Sequence, residues 1–328
     1  MKGKKFFTGL TCAALLAAPS AALADSTDVN LIVNNAYVGS SEVDGQVYVS
    51  NAGRTMIPLR LVSETLDYTT DWQPDGSIHV TSADGSVDVT LQVGSTAYEA
   101  NGTAGTFETA PILKNDRTYL PARDFTELYG DIFWDNDTRT VWIAQGQDLQ
   151  YQAIGDKFMR ADANGIQQVM LPEGYTLYGG MDFEPIVAQR TINGTSYIAL
   201  HCDKDHYYNK DNYYSTVPLF RDDGVSLFRI GETYPSSFYV SDTTIYYTDG
   251  VNAGPWHNPV NPYVLYTSGI NTPDSLSQTI RHKMDFVVND CTLDMVDGVL
   301  TATSPDGTVH RVDDLSKYPA SIDGVGWD

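Results

Sequence analysis

The chain has 328 residues, with 20 Lys and Arg against 42 Asp and Glu, and a formal net charge of −22 at pH 7. Hydrophobic residues make up 42% of it, which is enough for a folded core and excludes a wholly disordered chain. Its acidity also excludes nucleic-acid binding, which normally depends on clustered Lys and Arg. The acidic residues are 34 Asp and 8 Glu, and because Asp favours turns over helices, we expect a β-rich, turn-rich chain.

Residues 1–24 are typical of a secretory signal peptide. Lys2, Lys4 and Lys5 precede an apolar run over residues 6–18, and Ala22-Leu23-Ala24 supplies the small residues that cleavage requires. A membrane anchor is the alternative, but about 13 apolar residues fall short of the ~20 that span a bilayer. No comparable run follows, so we expect no transmembrane segment after signal removal. The chain is predicted to be secreted, either extracellular or associated with the cell wall.

An internal repeat organises the predicted first domain, residues 25–150. Arg54-Thr-Met-Ile-Pro-Leu-Arg60 recurs further along the chain as Arg117-Thr-Tyr-Leu-Pro-Ala-Arg123. Each copy continues into a short helical stretch with one apolar stripe and then into a hairpin that carries tryptophan. The stripe residues and tryptophans are Leu59, Val62, Leu66 and Trp72 in the first copy, and Ala122, Phe125, Leu128, Trp134 and Trp142 in the second. We expect the tryptophans to pack in the core, and Arg60 and Arg123 to pair with nearby acids.

The double motif resembles the stalk domain at the N-terminus of copper amine oxidases, the copper amine oxidase N-terminal-like domain, over about residues 29–145. This resemblance implies a small α+β fold, an antiparallel sheet with two short helices, and a scaffolding role in an exported protein of Gram-positive type. The oxidase chemistry does not carry over. No two of the six histidines are two residues apart, and Asn212-Tyr213 is followed by Tyr214 instead of an acid. We therefore expect neither copper amine oxidase activity nor a cofactor.

Residues 151–328 are predicted to form an all-β domain. Short strands recur with Asp-Gly or Asn-Gly turns, a hairpin signal. The strands are Lys157–Asp162, Leu219–Arg221, Ile245–Thr248, Tyr263–Ser268 and Leu300–Thr303. Gly165, Gly224, Gly269 and Gly307 mark units of roughly 40–60 residues, close to the length of a propeller blade. The pattern weakly resembles exported bacterial β-propeller-like modules, and a β-sandwich is the alternative.

One polar segment of this domain concentrates aromatic residues. Tyr207, Tyr208, Tyr213 and Tyr214 lie among Asp and Asn residues. Sugar rings stack on exposed aromatic faces while carboxylates bind their hydroxyls, so these tyrosines are candidates for binding a glycan. A solvated loop whose tyrosines pack on a sheet edge is the alternative. Trp256, in a proline-rich loop, is a second binding candidate.

The same segment carries side chains of the metal-ligand type, namely His201, Cys202, Asp205 and His206. No second ligand pair follows at a zinc spacing, so no metal site is expected. Calcium at Asp203, Asp205 and Asp211 stays an alternative, although the EF-hand loop pattern is missing. Cys202 and Cys291 follow the signal and permit one disulfide, with two buried thiols as the equal alternative.

No catalytic motif emerges from the sequence. It contains no Gly-x-Ser-x-Gly elbow, His-Glu-x-x-His helix or glycine-rich phosphate loop. A glycosidase acid pair converges from distant strands and needs no motif, so Glu173, Asp182 and Glu184 are the first acids to consider. The leading interpretation is a non-catalytic exported protein whose stalk-like scaffold presents a β-rich module to a cell-wall glycan, peptide or surface protein. The alternatives are an extracellular polysaccharide hydrolase and a purely structural spacer.

Overall fold

A computed structural model describes residues 29–38, 45–145, 149–177, 186–204, 217–233, 237–248, 262–270, 279–289 and 291–322. Within these ranges the chain consists mainly of β-strands, with one α-helix and two short 3₁₀ helices. The α-helix, α1, is Leu59–Thr65, and the 3₁₀ helices are Ala122–Glu127 and Leu315–Lys317. None of the helices in these ranges has the length and apolar character that crossing a membrane requires.

The strands are numbered in chain order. Those before residue 145 are β1 (Asn30–Val33), β2 (Ala36–Val38), β3 (Tyr48–Val49), β4 (Thr55–Pro58), β5 (Thr69–Trp72), β6 (Ser77–Thr81), β7 (Asp88–Gln92), β8 (Ala97–Ala100), β9 (Thr103–Thr106), β10 (Ile112–Lys114), β11 (Arg117–Pro121), β12 (Asp131–Asp135) and β13 (Thr140–Ala144). Those that follow are β14 (Gln150–Ile154), β15 (Lys157–Asp162), β16 (Gly165–Gln168), β17 (Tyr175–Leu177), β18 (Ile186–Ile192), β19 (Thr195–Leu200), β20 (Cys202–Lys204), β21 (Val217–Asp222), β22 (Leu227–Thr233), β23 (Ser237–Val240), β24 (Thr244–Thr248), β25 (Val264–Gly269), β26 (Ile280–Lys283), β27 (Thr292–Val296), β28 (Val299–Thr303), β29 (Val309–Val312) and β30 (Ala320–Ile322).

The chain divides into two compact units. Among the described residues, unit 1 is Val29 with residues 45–124, and unit 2 is residues 30–38 with residues 125–322. Unit 2 thus includes β1 and β2 as well as everything from β12 onward. The predicted domain ranges, 25–150 and 151–328, stay a prediction of how the sequence is organised.

Unit 1 contains both Arg-Thr segments of the repeat. β4 and β11 pair antiparallel, with Tyr119 opposite Pro58 and Pro121 opposite Met56, in a sheet of order β10-β11-β4-β3. Each strand ends at its proline and a helix follows directly, because a proline has no amide proton to leave unpaired at a helix start. The unit also holds an antiparallel meander, β5-β6-β7-β8-β9.

The two helices of the repeat differ. α1 buries Leu59 and Val62, and Leu66 is buried at its C-terminal cap, as the predicted stripe requires. Of the two short helices that were predicted, the first is an α-helix and the second is a 3₁₀ helix. There Asp124 is 4% exposed, and its carboxylate accepts a hydrogen bond from the Glu108 amide at 3.2 Å. Burial raises the pKa of Asp124 above its ordinary value, which marks it as a residue turned inward.

Unit 2 consists of small sheets. Sheets that follow one another along the chain contribute side chains to the same apolar layer. Their strand orders are β12-β13-β1-β2, β14-β15-β16, β17-β20, β18-β19-β21-β22, β23-β24-β25-β26-β30 and β27-β28-β29. Ile32 and Trp142 pack with Met159, whereas Phe158, on the same strand as Met159, packs with Phe220. Among the described strands, only β1 and β13 pair in parallel.

The β-rich prediction for the second half of the chain is confirmed. The strand over Lys157–Asp162 is β15, and the other four predicted strands overlap β21, β24, β25 and β28. Gly224 and Gly307 have positive φ in turns, and Gly165 has positive φ at the start of β16, as predicted for hairpins, whereas Gly269 is the last residue of β25. The Asp249-Gly250 turn lies outside the described residues, and closure of these sheets into a propeller stays a prediction.

Aspartates at hairpin turns organise the backbone of both units. Asp84 accepts hydrogen bonds from the Ser82 hydroxyl at 2.6 Å and from the Ser86 amide at 3.0 Å. These bonds lower the pKa of Asp84 to about 2. Asp75 and Asp306 have lowered pKa values for the same reason, through hydrogen bonds from Ser77 and Thr308 respectively. The Asp-rich composition therefore has a structural use at the turns.

We expect these turn carboxylates to make the fold acid-sensitive. Because their pKa in the folded state is below the ordinary value of about 3.9, they stabilise the fold fully above about pH 4 and lose that contribution toward pH 2. Thermal unfolding between pH 5 and pH 2 measures how steeply the melting temperature falls with pH. Below pH 4 this fall should be smaller for Asp84→Asn than for the unmodified protein. Identical slopes for the two proteins would show that the Asp84 turn contributes nothing.

Candidate functional site

The binding residues predicted from the sequence are not placed by the structure. Tyr207, Tyr208, Tyr213, Tyr214 and Trp256 all lie outside the described residues. The same holds for two of the candidate acids, Asp182 and Glu184, while Glu173 is exposed in the turn before β17. The glycan-binding role of the tyrosine segment and of Trp256 therefore stays a prediction.

The two cysteines are described, and the structure contains them as thiols that are not bridged to each other. Cys291 is 2% exposed and packs in the apolar layer around Tyr247, whereas Cys202 packs at the edge of the layer around Phe220. The Cys291 thiol lies 3.3 Å from the Val287 carbonyl oxygen, to which it donates. The cysteines belong to different apolar layers, and the choice between a disulfide and two thiols stays a prediction.

Metal-ligand side chains do not gather in the part of the chain that is described. No group of three or more His, Cys, Asp or Glu residues there is arranged to hold a metal ion. Of the metal-type residues named from the sequence, His201 is half-buried, and Asp205, His206 and Asp211 fall outside the described ranges.

The tryptophans of the repeat have three different environments. Trp142 is fully buried, Trp134 is half-buried, and Trp72 is 45% exposed. The expectation of core packing is therefore correct for Trp142 and wrong for Trp72. Trp72 pairs with Ile78, and side chains directly opposite each other point to the same face of an antiparallel sheet. Ile78 is fully buried, but Trp72 lies on an edge strand that has a neighbour on one side only.

A cleft of about 730 Å³ opens beside Trp72 in unit 1. Its walls are residues 58–61, 64 and 65, which lie at the end of β4 and along α1, then Thr70 and Trp72 of β5, and residues 115–118 at the turn from β10 into β11. Asn115 and Asp116 have positive φ values of 49° and 59°, a left-handed conformation that Asn and Asp tolerate in tight turns. We call this site the Trp72 cleft.

Charged groups of both signs lie in the Trp72 cleft. The Arg60 Nε atom is 3.8 Å from Glu64 Oε1, and the two side chains are 60% and 66% exposed. Arg117, from the opposite wall, donates a hydrogen bond from Nη1 to the Asn115 carbonyl oxygen at 3.1 Å. The predicted pairing of Arg60 with a nearby acid is thus confirmed, as is that of Arg123, which lies 3.7 Å from Glu108.

Two hydroxyl groups in the walls of the cleft have no hydrogen-bond partner. They are Thr70 Oγ1 and Thr118 Oγ1, both of which are buried, and the whole Thr118 residue is 7% exposed. An unpaired buried hydroxyl costs roughly 1–3 kcal/mol relative to a paired one.

The Trp72 cleft combines an aromatic face with hydrogen-bond donors and acceptors on both sides. Trp72 supplies the ring, Arg60 and Arg117 supply donors, and Glu64 and Asn115 supply acceptors. This combination suits a sugar ring, which stacks its C–H face on an aromatic side chain and directs its hydroxyls to polar groups at the rim.

The copper amine oxidase N-terminal domain family model matches residues 32–143. The resemblance derived from the repeat is confirmed for this segment. The match covers the N-terminal domain of those oxidases and not their catalytic domain, in agreement with a stalk-like domain that is not itself catalytic. By the division into units, the matched segment supplies all of unit 1 from β3 onward and, in unit 2, the end of β1, all of β2 and β12, and most of β13.

Other comparisons add little. No curated protein matches the chain. A solved structure described as "Structure of YjhT" is similar over 72% of this chain and 70% of that chain, with 10% sequence identity and a TM-score of 0.29. A score at this level is below that of a shared fold.

Proposed function

We propose that this chain is an exported, non-catalytic protein of the cell envelope, in which a copper amine oxidase N-terminal-like domain acts as a stalk-like scaffold and the protein binds a cell-wall glycan. Residues 1–24 support export, because their charge and apolar pattern is that of a signal peptide. The family match supports the scaffold role.

The exposed Trp72 carries the glycan-binding proposal. An indole ring on the core-facing side of a sheet is normally covered, and here it is open along a cleft of about 730 Å³ with polar groups on both walls. Pockets that bind small molecules have volumes of roughly 300–1,000 Å³, so the cleft can hold one or two sugar rings.

The second half of the chain is proposed to be the β-rich module that the scaffold presents, with a propeller-like arrangement. The sheets β18-β19-β21-β22 and β23-β24-β25-β26-β30 each contain four antiparallel strands that follow chain order, as a propeller blade does, although β20 is skipped in the first sheet and β30 is added at the edge of the second. Their apolar faces share one layer, which includes Leu219 and Leu265. A sandwich also stacks sheets face to face, and an experimental structure of the whole chain distinguishes the two by whether the last sheet returns to the first.

Replacing Trp72 with alanine is expected to reduce binding to purified Gram-positive cell-wall polysaccharide by about tenfold, because the stacking surface is lost. Co-sedimentation of the protein without residues 1–24 measures the bound fraction. Tyr37→Ala is the matched control, since Tyr37 is an exposed aromatic residue (67%) outside the cleft. Equal binding by the unmodified protein and Trp72→Ala contradicts the site, and no binding by either supports a structural spacer.

A further inference from the structure

We infer that the sugar bound in the Trp72 cleft is acidic, carrying a carboxylate on the ring in the manner of a uronic acid. This inference rests on the proposed function, because it names the class of ligand for the same cleft. It follows from the kind and number of the charged groups in the walls.

The balance of charge in the cleft differs from that of the chain. Acidic residues outnumber Lys and Arg by 42 to 20 in the sequence, whereas the cleft walls hold Arg60 and Arg117 against Glu64 and Asp116. At physiological ionic strength the Debye length is about 8 Å, so distant acids are screened and the groups in the walls decide the local potential. An anion therefore meets far less repulsion here than over an average part of this protein.

Arg60 presents the group that a carboxylate binds best. Its contact with Glu64 runs through Nε at 3.8 Å, which is longer than a hydrogen bond, and the arginine side chain is 60% exposed. A guanidinium fork matches the two oxygens of a carboxylate, and such charge-assisted pairs are about twice as strong as neutral hydrogen bonds. A carboxylate with better geometry competes readily with the loose Glu64 contact.

The second wall supplies the other half of the recognition. The Arg117 guanidinium is held by the Asn115 carbonyl oxygen at 3.1 Å, so its direction is fixed before a ligand arrives. The acids Glu64 and Asp116 are acceptors for sugar hydroxyls. A uronic-acid ring offers all of these groups together, namely one carboxylate, several hydroxyls and an apolar face.

The test uses a pair of probes that differ only in the carboxylates, a tri-galacturonide and its carboxyl-reduced counterpart. Isothermal titration calorimetry on the protein without residues 1–24 is expected to show about tenfold tighter binding of the acidic probe. Arg60→Gln should weaken binding of the acidic probe about tenfold and change the neutral probe less than twofold. Raising the salt concentration from 0.05 to 0.5 M should also weaken the binding of the acidic probe and leave that of the neutral probe unchanged.

Arg123→Gln is the matched control, because Arg123 is the counterpart of Arg60 in the second copy of the repeat and pairs with Glu108 away from the cleft. It should leave both affinities unchanged. Equal affinity for the two probes overturns the acidic specificity and leaves the proposed function standing. If neither probe binds, while binding to cell-wall polysaccharide still depends on Trp72, the uronic acid is not the ligand and this inference is overturned. If neither probe binds and Trp72→Ala leaves the binding to cell-wall polysaccharide unchanged, the proposed function is overturned as well.

Discussion

Replacing Trp142 with alanine is expected to lower the free energy of unfolding by about 4 kcal/mol, as for other large aromatic residues removed from a core. The indole is fully buried between β1 and the β14-β15 hairpin, where Ile32 and Met159 pack against it. Its Nε1 atom also donates a hydrogen bond to the Asn34 carbonyl oxygen at 2.7 Å, and deletion leaves that oxygen with the longer bond from Gln152 Nε2 at 3.5 Å. Urea unfolding followed by far-UV circular dichroism measures the change.

Trp72→Ala is the control for this measurement. Trp72 is 45% exposed on an edge strand, so its removal should cost less than about 1 kcal/mol. The contrast matters because the repeat pattern predicts core packing for both tryptophans. A loss of stability at Trp72 as large as at Trp142 would show that the cleft is part of the core, and Trp72→Ala would then be unsuitable as a binding test.

The local structure of the repeat is predictable from the sequence because each signal is short-range. The Arg-Thr motif ends in a proline that stops a strand, and the stripe of Leu59, Val62 and Leu66 has the period of one helical face. The equivalence of the two helices is not predictable in this way. In the second helix the Asp124 carboxylate is buried and accepts a hydrogen bond from the Glu108 amide, and these two residues are 16 positions apart in the sequence.

The exposure of Trp72 depends on which strand forms the edge of its sheet, and sequence patterns do not report strand order. A weak local signal is present. Trp142 lies between Val141 and Ile143 in a strand that is buried throughout, whereas Trp72 is flanked by Asp71 and Gln73. Polar neighbours on both sides are typical of an edge strand, and this signal distinguishes the two tryptophans from the sequence alone.

The division into units also results from long-range contacts. β1 and β13 pair in parallel although they lie at opposite ends of the family match, and their sheet packs on the β14-β15 hairpin through Trp142 and Met159. The sequence pattern assigns residues 30–38 and 125–144 to the same domain as the residues between them, because the family match runs from residue 32 to residue 143 without a break. The apolar layers, which decide what folds together, follow a different boundary.

Replacing Asp222 with alanine is expected to lower the free energy of unfolding by about 3 kcal/mol, because it breaks a buried charge network in unit 2. The Asp222 side chain is 2% exposed, and one of its oxygens, Oδ2, lies 3.3 Å from Arg160 Nε. The Tyr151 hydroxyl donates to the same oxygen at 2.5 Å, and the Gly224 amide donates to Oδ1 at 2.7 Å. Loss of the carboxylate leaves the Arg160 guanidinium with Asp162 as its remaining acid, at 2.8 Å.

The conservative variant Asp222→Asn separates charge from shape. It keeps an acceptor for Gly224 and removes the charge that faces Arg160, so its cost should lie between zero and that of alanine. Burial and the bond to Asp222 both raise the pKa of the Tyr151 hydroxyl, so the tyrosine should ionise at a lower pH in Asp222→Asn, which ultraviolet titration detects.

A double-mutant cycle with Tyr151→Phe completes this test. If the network acts as a unit, the loss in the double variant should be smaller than the sum of the two single losses, because Asp222→Ala already removes the partner of the tyrosine hydroxyl. Strictly additive losses would mean that Tyr151 and Asp222 stabilise the fold independently. In that case the Arg160 ion pair and the turn at Gly224, and not the bond from the tyrosine hydroxyl, account for the cost of losing the carboxylate.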